Sequence, residues 1–379
     1  MAEPTPSIPD LPMLAITLHP NKPEELMPLM YHIVLLIPDW EKRSGTIEIV
    51  RLTGGVNNTL YKVTRVDKHC TELLVRIYGN SQSVLVDRER EIECHQILHQ
   101  RRLVPPIFAR FQNGYIYGFS AGVTCRVTDL HLAPIYRAVA RCMAEWHARV
   151  PVGGSGLEKP TPNLWSILNK WIMALPAALE EDKERQLSFL AESEFLKAKF
   201  ADTKLVFSHC DLHAGNVLRR EPVLPGTDAA IGFIDFEYAM PAPAAFDIAC
   251  HFSEWGGYDL DYTFLPNQSM RRAFISEYAL AYNKYRDPES SDTIDVTSLC
   301  QEVDSFRGLP GLFWGIAALI QAAEANNNMN FKTYGDDRIT EYWDWRAEED
   351  GSRAKCGEEM PLRELKWKKV ARFHDALES

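Results

Sequence analysis

The stretch Ser208-His209-Cys210-Asp211-Leu212-His213-Ala214-Gly215-Asn216 carries the clearest indication of how this chain folds. Asp211 can accept the proton of an attacking hydroxyl group. Asn216, and Asp235 nineteen residues later, can hold Mg²⁺ against phosphate groups through their oxygen atoms. A His-x-Asp triplet is common by chance, but His, Asp, Asn and Asp at these spacings are typical of ATP-dependent phosphoryl transfer. The alternative is that Asp211 caps a helix and Asp235 ends a buried strand.

The composition bounds the class of protein. A chain of 379 residues is long enough for two domains or two lobes, and a hydrophobic content of 46% supports a packed core. With 41 basic and 52 acidic residues, the net charge of −11 argues against a nucleic-acid partner. The eight cysteines show no Cys-x-x-Cys pair, which indicates reduced thiols in a cytoplasmic protein and neither a zinc site nor a disulfide framework.

Membrane and export signals are missing from the sequence pattern. No run of about 18 apolar residues is present, so we expect no membrane insertion. The beginning of the chain lacks a basic segment followed by an apolar one, which argues against secretion. Seven prolines fall within the first 28 residues, so residues 1–23 are expected to form a flexible arm.

Residues 24–119 are predicted to form a small, β-rich lobe. Helices are expected at residues 24–37 and 86–100. Alternation of apolar and polar residues predicts strands at residues 47–52, 60–65, 72–78 and 114–119. The small residues at 120–122 are the expected hinge.

Residues 120–379 are predicted to form a large, mostly helical lobe. Apolar residues from 132 to 146 repeat at intervals of three and four, which indicates an amphipathic helix. Further helices are expected at residues 164–178, 184–200, 270–284 and 301–325, with short strands between 205 and 236. The predicted fold class is therefore α+β with two lobes.

Candidate phosphate contacts lie in the N-terminal lobe. Glycines let backbone N–H groups approach phosphate, and asparagine side chains add hydrogen-bond donors. The alternative is that these residues form an ordinary hairpin turn. The candidates in this loop are Gly54, Gly55, Asn57 and Asn58.

Arg76 stands inside an apolar strand, where a cation needs an anionic partner, unless it faces solvent on an edge strand. Glu91 on the following helix is a plausible partner, in competition with Glu89 and Glu93.

The chain beyond Asp235 offers further candidates. Asp247 could accept N–H groups of the catalytic loop, or it could simply cap a helix. Glu254 with the adjacent Trp255 suits an ammonium ligand, although a surface glutamate beside a core tryptophan is the alternative. Trp314 and Tyr334 lie in aromatic-rich segments that could equally be core. His213 and His251 are expected to be hydrogen-bonded structural residues, and His213 is also a candidate ATP contact.

These motifs together resemble the choline/ethanolamine kinase family over roughly residues 24–346. The matching segments are Gly-Gly-x-x-Asn at 54–58, Leu-Val-Arg-Ile-Tyr-Gly at 74–79, His-Cys-Asp-x4-Asn at 209–216, Ile-Asp-Phe-Glu-Tyr-Ala at 234–239, Ala-Phe-Asp-Ile-Ala at 245–249, Arg-Gly-Leu-Pro-Gly-Leu-Phe-Trp-Gly at 307–315 and Glu-Tyr-Trp-Asp-Trp at 341–345. The segment at 251–262 is more similar to ethanolamine kinases, particularly fungal ones, than to choline kinases.

The resemblance implies a protein-kinase-like fold and an ATP:ethanolamine O-phosphotransferase whose product, phosphoethanolamine, feeds phosphatidylethanolamine synthesis. It implies that Asp211 is the base, that Asn216 and Asp235 bind Mg²⁺, and that Arg76 binds phosphate. It places residues 54–60 on the phosphates and residues 118–124, including Phe119, at the nucleotide hinge. It also implies that Glu254, Trp314 and Tyr334 line the amine pocket.

Three departures concern the substrate. Ala317 stands where the family usually has a second tryptophan, Cys250 where asparagine is usual, and residues 326–330 are rich in asparagine. The alternatives are a kinase for choline or another small amine, and a pseudokinase that binds a partner. ATP and a small amino alcohol are the expected partners, and a homodimer is possible.

Overall fold

The computed structural model describes residues 11–20, 22–36, 45–52, 58–66, 71–79, 84–152, 162–220, 229–289, 292–324 and 330–369. The chain divides into two compact units. The N-terminal unit comprises residues 1–83 and 92–121, and the C-terminal unit comprises residues 84–91 and 122–379. The main division falls two residues beyond the predicted boundary at 119/120, and residues 84–91 group with the C-terminal unit.

A six-stranded sheet forms the N-terminal unit, in the order β1-β5-β6-β4-β3-β2. All neighbouring strands are antiparallel except β1 and β5, which are parallel. The strands are β1 (Met13–Leu14), β2 (Thr46–Leu52), β3 (Asn58–Val66), β4 (Thr71–Tyr78), β5 (Ile107–Phe111) and β6 (Gly114–Gly118). Every second residue of β3 from Tyr61 to Arg65 is buried, as the alternating pattern predicts.

Two helices accompany this sheet. Helix α1 (Leu26–Leu36) buries Leu26, Leu29, Met30 and Ile33, which recur at intervals of three and four residues. These side chains share one core with Val63, Leu73 and Ile116 of the sheet. Helix α2 (Arg88–Gln100) follows the gap after β4. Both helices were predicted to within two residues in their described parts.

The prediction of a flexible arm over residues 1–23 is wrong for residues 11–20. Strand β1 pairs with β5, and the Leu18 side chain is only 1% exposed within the core of the unit. The Asn113 side chain accepts a hydrogen bond from Leu18 N at 3.0 Å and donates one to Leu18 O at 2.7 Å. Residues 1–10 lie outside the described part of the chain.

The C-terminal unit is mostly helical and contains two small antiparallel sheets, β10-β9-β7 and β11-β8. The strands are β7 (Val123–Thr124), β8 (Leu205–Ser208), β9 (Val217–Arg220), β10 (Ala230–Phe233) and β11 (Met240–Pro243). The helices are α3 (Ala133–Arg149), α4 (Leu164–Ala174), α5 (Glu180–Lys199), α6 (Ala244–Ser253), α7 (Gln268–Tyr285), α8 (Val296–Phe306), α9 (Leu309–Glu324), α10 (Phe331–Glu349), α11 (Ser352–Cys356) and α12 (Leu362–Lys368).

The single helix predicted at residues 301–325 is wrong, because the structure breaks it into α8 and α9 at Arg307 and Gly308. A side chain at Gly308 would overlap the Trp345 ring, so packing against α10 requires glycine here. Pro310 then lies in the first turn of α9, where the missing N–H is tolerated.

Glycines also bring α9 and α10 into close contact. A Cβ atom at Gly335 would lie 3.0 Å from Leu319 Cγ and 3.1 Å from Gly315 O. A Cβ atom at Gly311 would lie 2.6 Å from Arg338 O. The backbones therefore approach where side chains would keep them apart, and this contact fixes the position of Arg338 on α10.

Two further expectations concern cysteines and membranes. All seven cysteines in the described ranges are free thiols, as predicted. In the part of the chain that the structure describes, no helix combines the length and apolarity needed to span a bilayer.

Candidate functional site

Asp247 fixes the start of the catalytic loop, residues 209–216. It lies in the first turns of α6, is 0% exposed, and accepts hydrogen bonds from the backbone N–H groups of His209 at 2.9 Å and Cys210 at 2.7 Å. The helix-cap alternative is wrong, because Pro243 holds the N-cap position of α6. The prediction that Asp247 supports the catalytic loop is thereby confirmed.

His147 of α3 completes the environment of Asp247. Its Nε2 lies 3.0 Å from Asp247 Oδ2, and its Nδ1 lies 2.8 Å from the Tyr278 hydroxyl group. Burial alone would raise the pKa of Asp247, but the hydrogen bond and charge of His147, together with His209, outweigh it and lower the pKa. Asp247 is therefore an ionised carboxylate beneath the loop.

His209 ties the catalytic loop to the segment that carries Asp235. Its Nε2 donates to the Ile234 carbonyl oxygen at 3.0 Å, so its Nδ1 can accept the Asp211 N–H at 3.3 Å. Burial lowers the pKa of His209, which favours the neutral imidazole that this arrangement needs. Ile234 N also donates to Asn216 O at 3.1 Å. Asp211, Asn216 and Asp235 are thus held together through backbone contacts.

Two residues of this site have a left-handed backbone. Cys210 has φ = 66° and Asp235 has φ = 63°. Neither residue is glycine, and such conformations persist only where the surrounding structure enforces them. The hydrogen bonds of Asp247 to residues 209 and 210 supply that restraint for Cys210.

Asn216 is oriented by Asp211. The Asn216 Nδ2 group donates to Asp211 O at 2.8 Å and to Asp211 Oδ2 at 3.2 Å. This leaves the Asn216 Oδ1 atom as an acceptor for another group. Burial and then the charges of Asp235, Glu254 and Glu237 raise the pKa of Asp211 well above its usual range. The site is therefore strongly acidic and suited to cations.

A second group of carboxylates surrounds Arg88. Ligand atoms of Glu91, Asp235 and Glu237 lie within 4.8 Å of one another. Arg88 Nη1 lies 3.1 Å from both Glu91 Oε2 and Glu237 Oε2. The guanidinium group thus already supplies a cation to two of the three carboxylates.

Glu254 lies in a buried, aromatic environment. It is 8% exposed and accepts a hydrogen bond from Arg338 Nη2 at 3.2 Å, so the surface-glutamate alternative is wrong. The Tyr334 and Tyr258 rings lie 6.1 Å apart, and the Tyr334 ring lies 5.9 Å from the Arg338 guanidinium group. Burial, then the charges of Asp211, Glu254 and Asp235, raise the pKa of Tyr258. Tyr258 therefore stands among the acidic residues of the site.

The two tryptophans near the candidate site, Trp255 and Trp314, have different surroundings. Trp255 is buried at 1% exposure and donates through Nε1 to His251 Nε2 at 3.2 Å, so it belongs to the core, as the alternative interpretation of this residue expected. The Trp314 ring lies 5.0 Å from the Tyr238 ring, edge to face. Burial and the charges of Glu237, Asp211 and Asp235 raise the pKa of Tyr238.

Candidate residues of the N-terminal unit are only partly described. Arg76 is buried in β4, an interior strand between β3 and β6, so the solvent-facing alternative is wrong. Asn58 begins β3 opposite Tyr78. Phe119 N donates to Glu72 O at 3.2 Å. Three of the predicted phosphate contacts lie outside the described residues: Gly54, Gly55 and Asn57.

The remaining candidates make contacts within the protein. Among the three competing glutamates of α2, Glu91 is buried while Glu89 and Glu93 are exposed. His213 Nδ1 accepts a hydrogen bond from Gly215 N at 3.0 Å, and burial lowers the pKa of His213 to about 4. His251 Nδ1 lies 2.7 Å from the Leu212 carbonyl oxygen and supports the catalytic loop. A contact of His213 with ATP stays a prediction.

Sequence reasoning missed four residues of the site. The missed residues are Arg88, Tyr238, Tyr258 and Arg338. Tyr238 lies inside the motif at 234–239 and Tyr258 inside the segment at 251–262. Both residues therefore belong to segments that the sequence analysis had already singled out. Arg338 follows Tyr334 by four residues, which places both on one face of a helix. That spacing was the available signal.

Comparisons with known proteins identify the family of this chain. The sequence model of the family described as choline/ethanolamine kinase matches residues 49–343. Mouse ethanolamine kinase 1 is 28% identical over 360 residues, covering 90% of this chain and 96% of that protein. A probable ethanolamine kinase of Nematostella vectensis is 30% identical over 316 residues, covering 78% of this chain and 87% of that protein.

A solved structure is similar as well. The ethanolamine kinase of Plasmodium vivax superposes with a TM-score of 0.66 at 22% identity, covering 84% of this chain and 88% of that one. This likeness confirms the predicted fold class, a two-lobed protein-kinase-like fold with a β-rich N-terminal part and a mostly helical C-terminal part.

Proposed function

The chain belongs to the choline/ethanolamine kinase family, and from that premise we propose that it is an ATP:ethanolamine O-phosphotransferase that makes phosphoethanolamine, the first step of phosphatidylethanolamine synthesis. The observation that carries the proposal is the catalytic loop itself. Asp211 and Asn216 are joined by a hydrogen bond, and Asp247 fixes the loop from below. Named ethanolamine kinases among the relatives favour this substrate.

The donor set suits Mg²⁺. Asn216 Oδ1 and the Asp235 carboxylate are the oxygens that would hold the ion, because Asn216 Nδ2 is occupied by Asp211. When bound with ATP, Mg²⁺ neutralises charge that develops on the transferred phosphoryl group. Other residues proposed to contact ATP follow from the family resemblance. They are Gly54, Gly55, Asn57, Asn58, Arg76, Glu91, Phe119 and His213.

Asp211 is the proposed base. Its carboxylate would accept the proton of the substrate hydroxyl group as that oxygen attacks the γ-phosphorus of ATP. Burial and the neighbouring carboxylates raise the pKa of Asp211. Cations brought by the substrates would favour its ionised form. Binding of both substrates would therefore prepare the base.

Glu254 is the proposed contact for the substrate ammonium group, with Tyr258, Tyr334, Tyr238 and Trp314 forming the walls. Ethanolamine offers three N–H donors to carboxylates. The trimethylammonium group of choline has none and depends on aromatic faces, and a cation–π contact contributes roughly 0.5–2 kcal/mol. That range corresponds to about 2–30-fold in affinity. Ala317 in place of a second tryptophan therefore favours ethanolamine over choline.

The test is an ADP-release assay with purified protein, Mg²⁺, ATP and a panel of amino alcohols. We expect ethanolamine to give the highest kcat/KM, and Asp211→Asn to lower kcat by about 10²–10⁴-fold. Asp261→Asn, which changes an exposed acid that caps a short turn, is the matched control and should retain activity. A preference for choline would refute the substrate. Binding of Mg·ATP without release of ADP for any amine would favour the pseudokinase alternative.

Two wider proposals concern the compartment and the assembly of the protein. The free cysteines of the described ranges are consistent with a cytoplasmic protein. A homodimer stays a prediction, which light scattering coupled to gel filtration would test.

A further inference from the structure

A buried chain of alternating charges starts at Glu254 and runs through the C-terminal unit. Its six members are Glu254, Arg338, Glu341, Arg363, Glu364 and Arg307, and each is at most 9% exposed. Arg338 reaches Glu254 through Nη2 and Glu341 through Nη1, both at 3.2 Å. Three carboxylates and three guanidinium groups balance, so the chain as a whole is neutral.

The far half of the chain holds the near half in place. Arg363 Nε lies 3.6 Å from Glu341 Oε1, and Arg363 Nη1 lies 3.0 Å from Glu364 Oε1. Glu364 Oε2 in turn accepts from Arg307 at 2.9–3.0 Å. Arg363 and Glu364 belong to α12, so the last described helix is connected to Glu254 through this chain of charges.

We propose that Arg338 is a positioning residue for the amine: it fixes the Glu254 carboxylate so that one oxygen faces Arg338 and the other is presented to the substrate ammonium group. This inference rests on the proposed function, because it takes Glu254 as the amine contact. Arg338 Nη2 donates to Glu254 Oε1. No described residue donates a hydrogen bond to Glu254 Oε2, which leaves that oxygen for the ligand.

Arg338 is suited to orient a carboxylate because its own side chain is buried and in contact on several sides. It is 1% exposed, and its Nη2 group also lies 3.4 Å from the Pro310 carbonyl oxygen. The glycine-mediated contact of α9 with α10 holds its backbone, since a Cβ atom at Gly311 would overlap Arg338 O. A guanidinium group with both terminal nitrogens engaged presents a fixed geometry to Glu254.

Arg338 also counters the effect of burial on Glu254. A carboxylate removed from water tends to bind a proton, and burial raises the pKa of Glu254 while the charge of Arg338 opposes that rise. A protonated Glu254 would have no charge to offer an ammonium group. The other acids nearby, Asp211 and Asp235, are assigned to the base and the metal, so the loss of Glu254 would fall on amine binding.

The experiment compares four variants with the wild type: Arg338→Met, Arg338→Lys, Glu254→Gln and the double variant Glu254→Gln/Arg338→Met. For each we measure KM for ethanolamine, KM for ATP, kcat and Tm. Arg346→Met is the matched control, because Arg346 lies on the same helix and pairs with Glu192 at 3.2 Å. The control should keep the wild-type KM for ethanolamine whatever its Tm.

We expect Arg338→Met to raise KM for ethanolamine at least tenfold while KM for ATP stays within about twofold. Arg338→Lys keeps a charge without the fixed fork and should recover part of the loss. If Arg338 acts through Glu254, the double variant should have the same KM as Glu254→Gln alone. Additive losses in the double variant, or an unchanged KM in folded Arg338→Met, would overturn the proposal.

These variants distinguish an effect on folding from an effect on ethanolamine binding. Removing Arg338 alone leaves a buried, unpaired carboxylate and is destabilising. The double variant removes both charges, and Arg338→Lys keeps one, so these two carry the test if Arg338→Met does not fold. Absence of ethanolamine turnover in the wild type would refute the proposed function. Normal wild-type turnover with unaltered KM in the Arg338 variants would refute only the role of Arg338.

Discussion

Replacing Asp247 by asparagine tests how the catalytic loop is held. The carboxylate is fully buried and meets three donors, His209 N, Cys210 N and the His147 ring, at 2.7–3.0 Å. Asparagine offers one acceptor oxygen, and its NH₂ group would face a donor. Oδ2 takes two of these contacts and Oδ1 takes one. Asparagine therefore loses one or two of the three hydrogen bonds, depending on which place its oxygen takes, together with the charge that faces His147.

The expected loss can be worked from these contacts. A hydrogen bond to a charged group contributes about 1.5–3 kcal/mol, so the loss of one or two of them gives roughly 1.5–6 kcal/mol. That is a large part of the 5–15 kcal/mol that typical folded proteins possess. Asp211 follows directly on the freed loop, and a misplacement of about 1 Å lowers rates by about 10²-fold. We expect both lower stability and lower kcat.

The pH dependence gives a second check. The pKa of Asp247 is lowered by folding from its ordinary value of 3.8. Its contribution is therefore fully present above pH 3.8 and is lost as the pH falls through the lower folded pKa. The difference in the free energy of unfolding between wild type and Asp247→Asn should be constant near neutral pH and should shrink in acid below that value.

The assay is urea unfolding followed by tryptophan fluorescence, with kcat measured on the same preparations. Asp295→Asn is the control, because Asp295 is an exposed N-cap of α8 that bonds Ser298 N and asparagine caps equally well. It should unfold within about 0.5 kcal/mol of wild type. Equal unfolding midpoints and equal kcat for wild type and Asp247→Asn would refute the assigned role.

Three further predictions concern the metal, the N-terminal segment and Ala317. Asp235→Asn, which keeps a residue tolerant of positive φ, should weaken Mg·ATP binding in calorimetry, and an unchanged affinity would remove Asp235 from the metal site. Deleting residues 1–20 should lower Tm, because burial of Leu18 alone contributes about 1.5–3 kcal/mol; an unaltered Tm would restore the flexible-arm interpretation. Ala317→Trp should destabilise by about 1–3 kcal/mol, since Ala317 is 2% exposed in α9, and an unchanged Tm with better use of choline would contradict this.

Local patterns were enough for most of the fold. The strands of the first sheet alternate because one face is buried, and β3 shows this directly at Tyr61, Val63 and Arg65. Helix α3 was visible from its apolar stripe, since Ile135, Val139 and Met143 are all buried. The catalytic loop was visible because the chemistry of phosphoryl transfer needs its residues in a fixed order.

Contacts between distant residues were not visible. Proline content predicted a flexible arm, but the segment folds because Leu18 reaches the core and Asn113, ninety-five residues away, satisfies its backbone. Apolar periodicity predicted one helix across α8 and α9, but the Trp345 ring leaves room only for glycine at position 308. In both cases the residue that determines the local structure is distant in sequence. A local sequence pattern therefore cannot predict the contact.

Arg338 illustrates how such a contact could still be found. Gly311 and Gly315 are four residues apart on α9, so they share one helix face, and Gly335 meets that face from α10. A helix face made of glycines predicts that another helix packs closely against it. The next turn of that second helix then lies against the same face. Arg338 lies one turn beyond Gly335, and its backbone oxygen faces Gly311 of α9. Because a buried cation needs an anion, the sequence already demanded a carboxylate there. Glu254 supplies that carboxylate in the structure, and the amine contact that we propose rests on the pair.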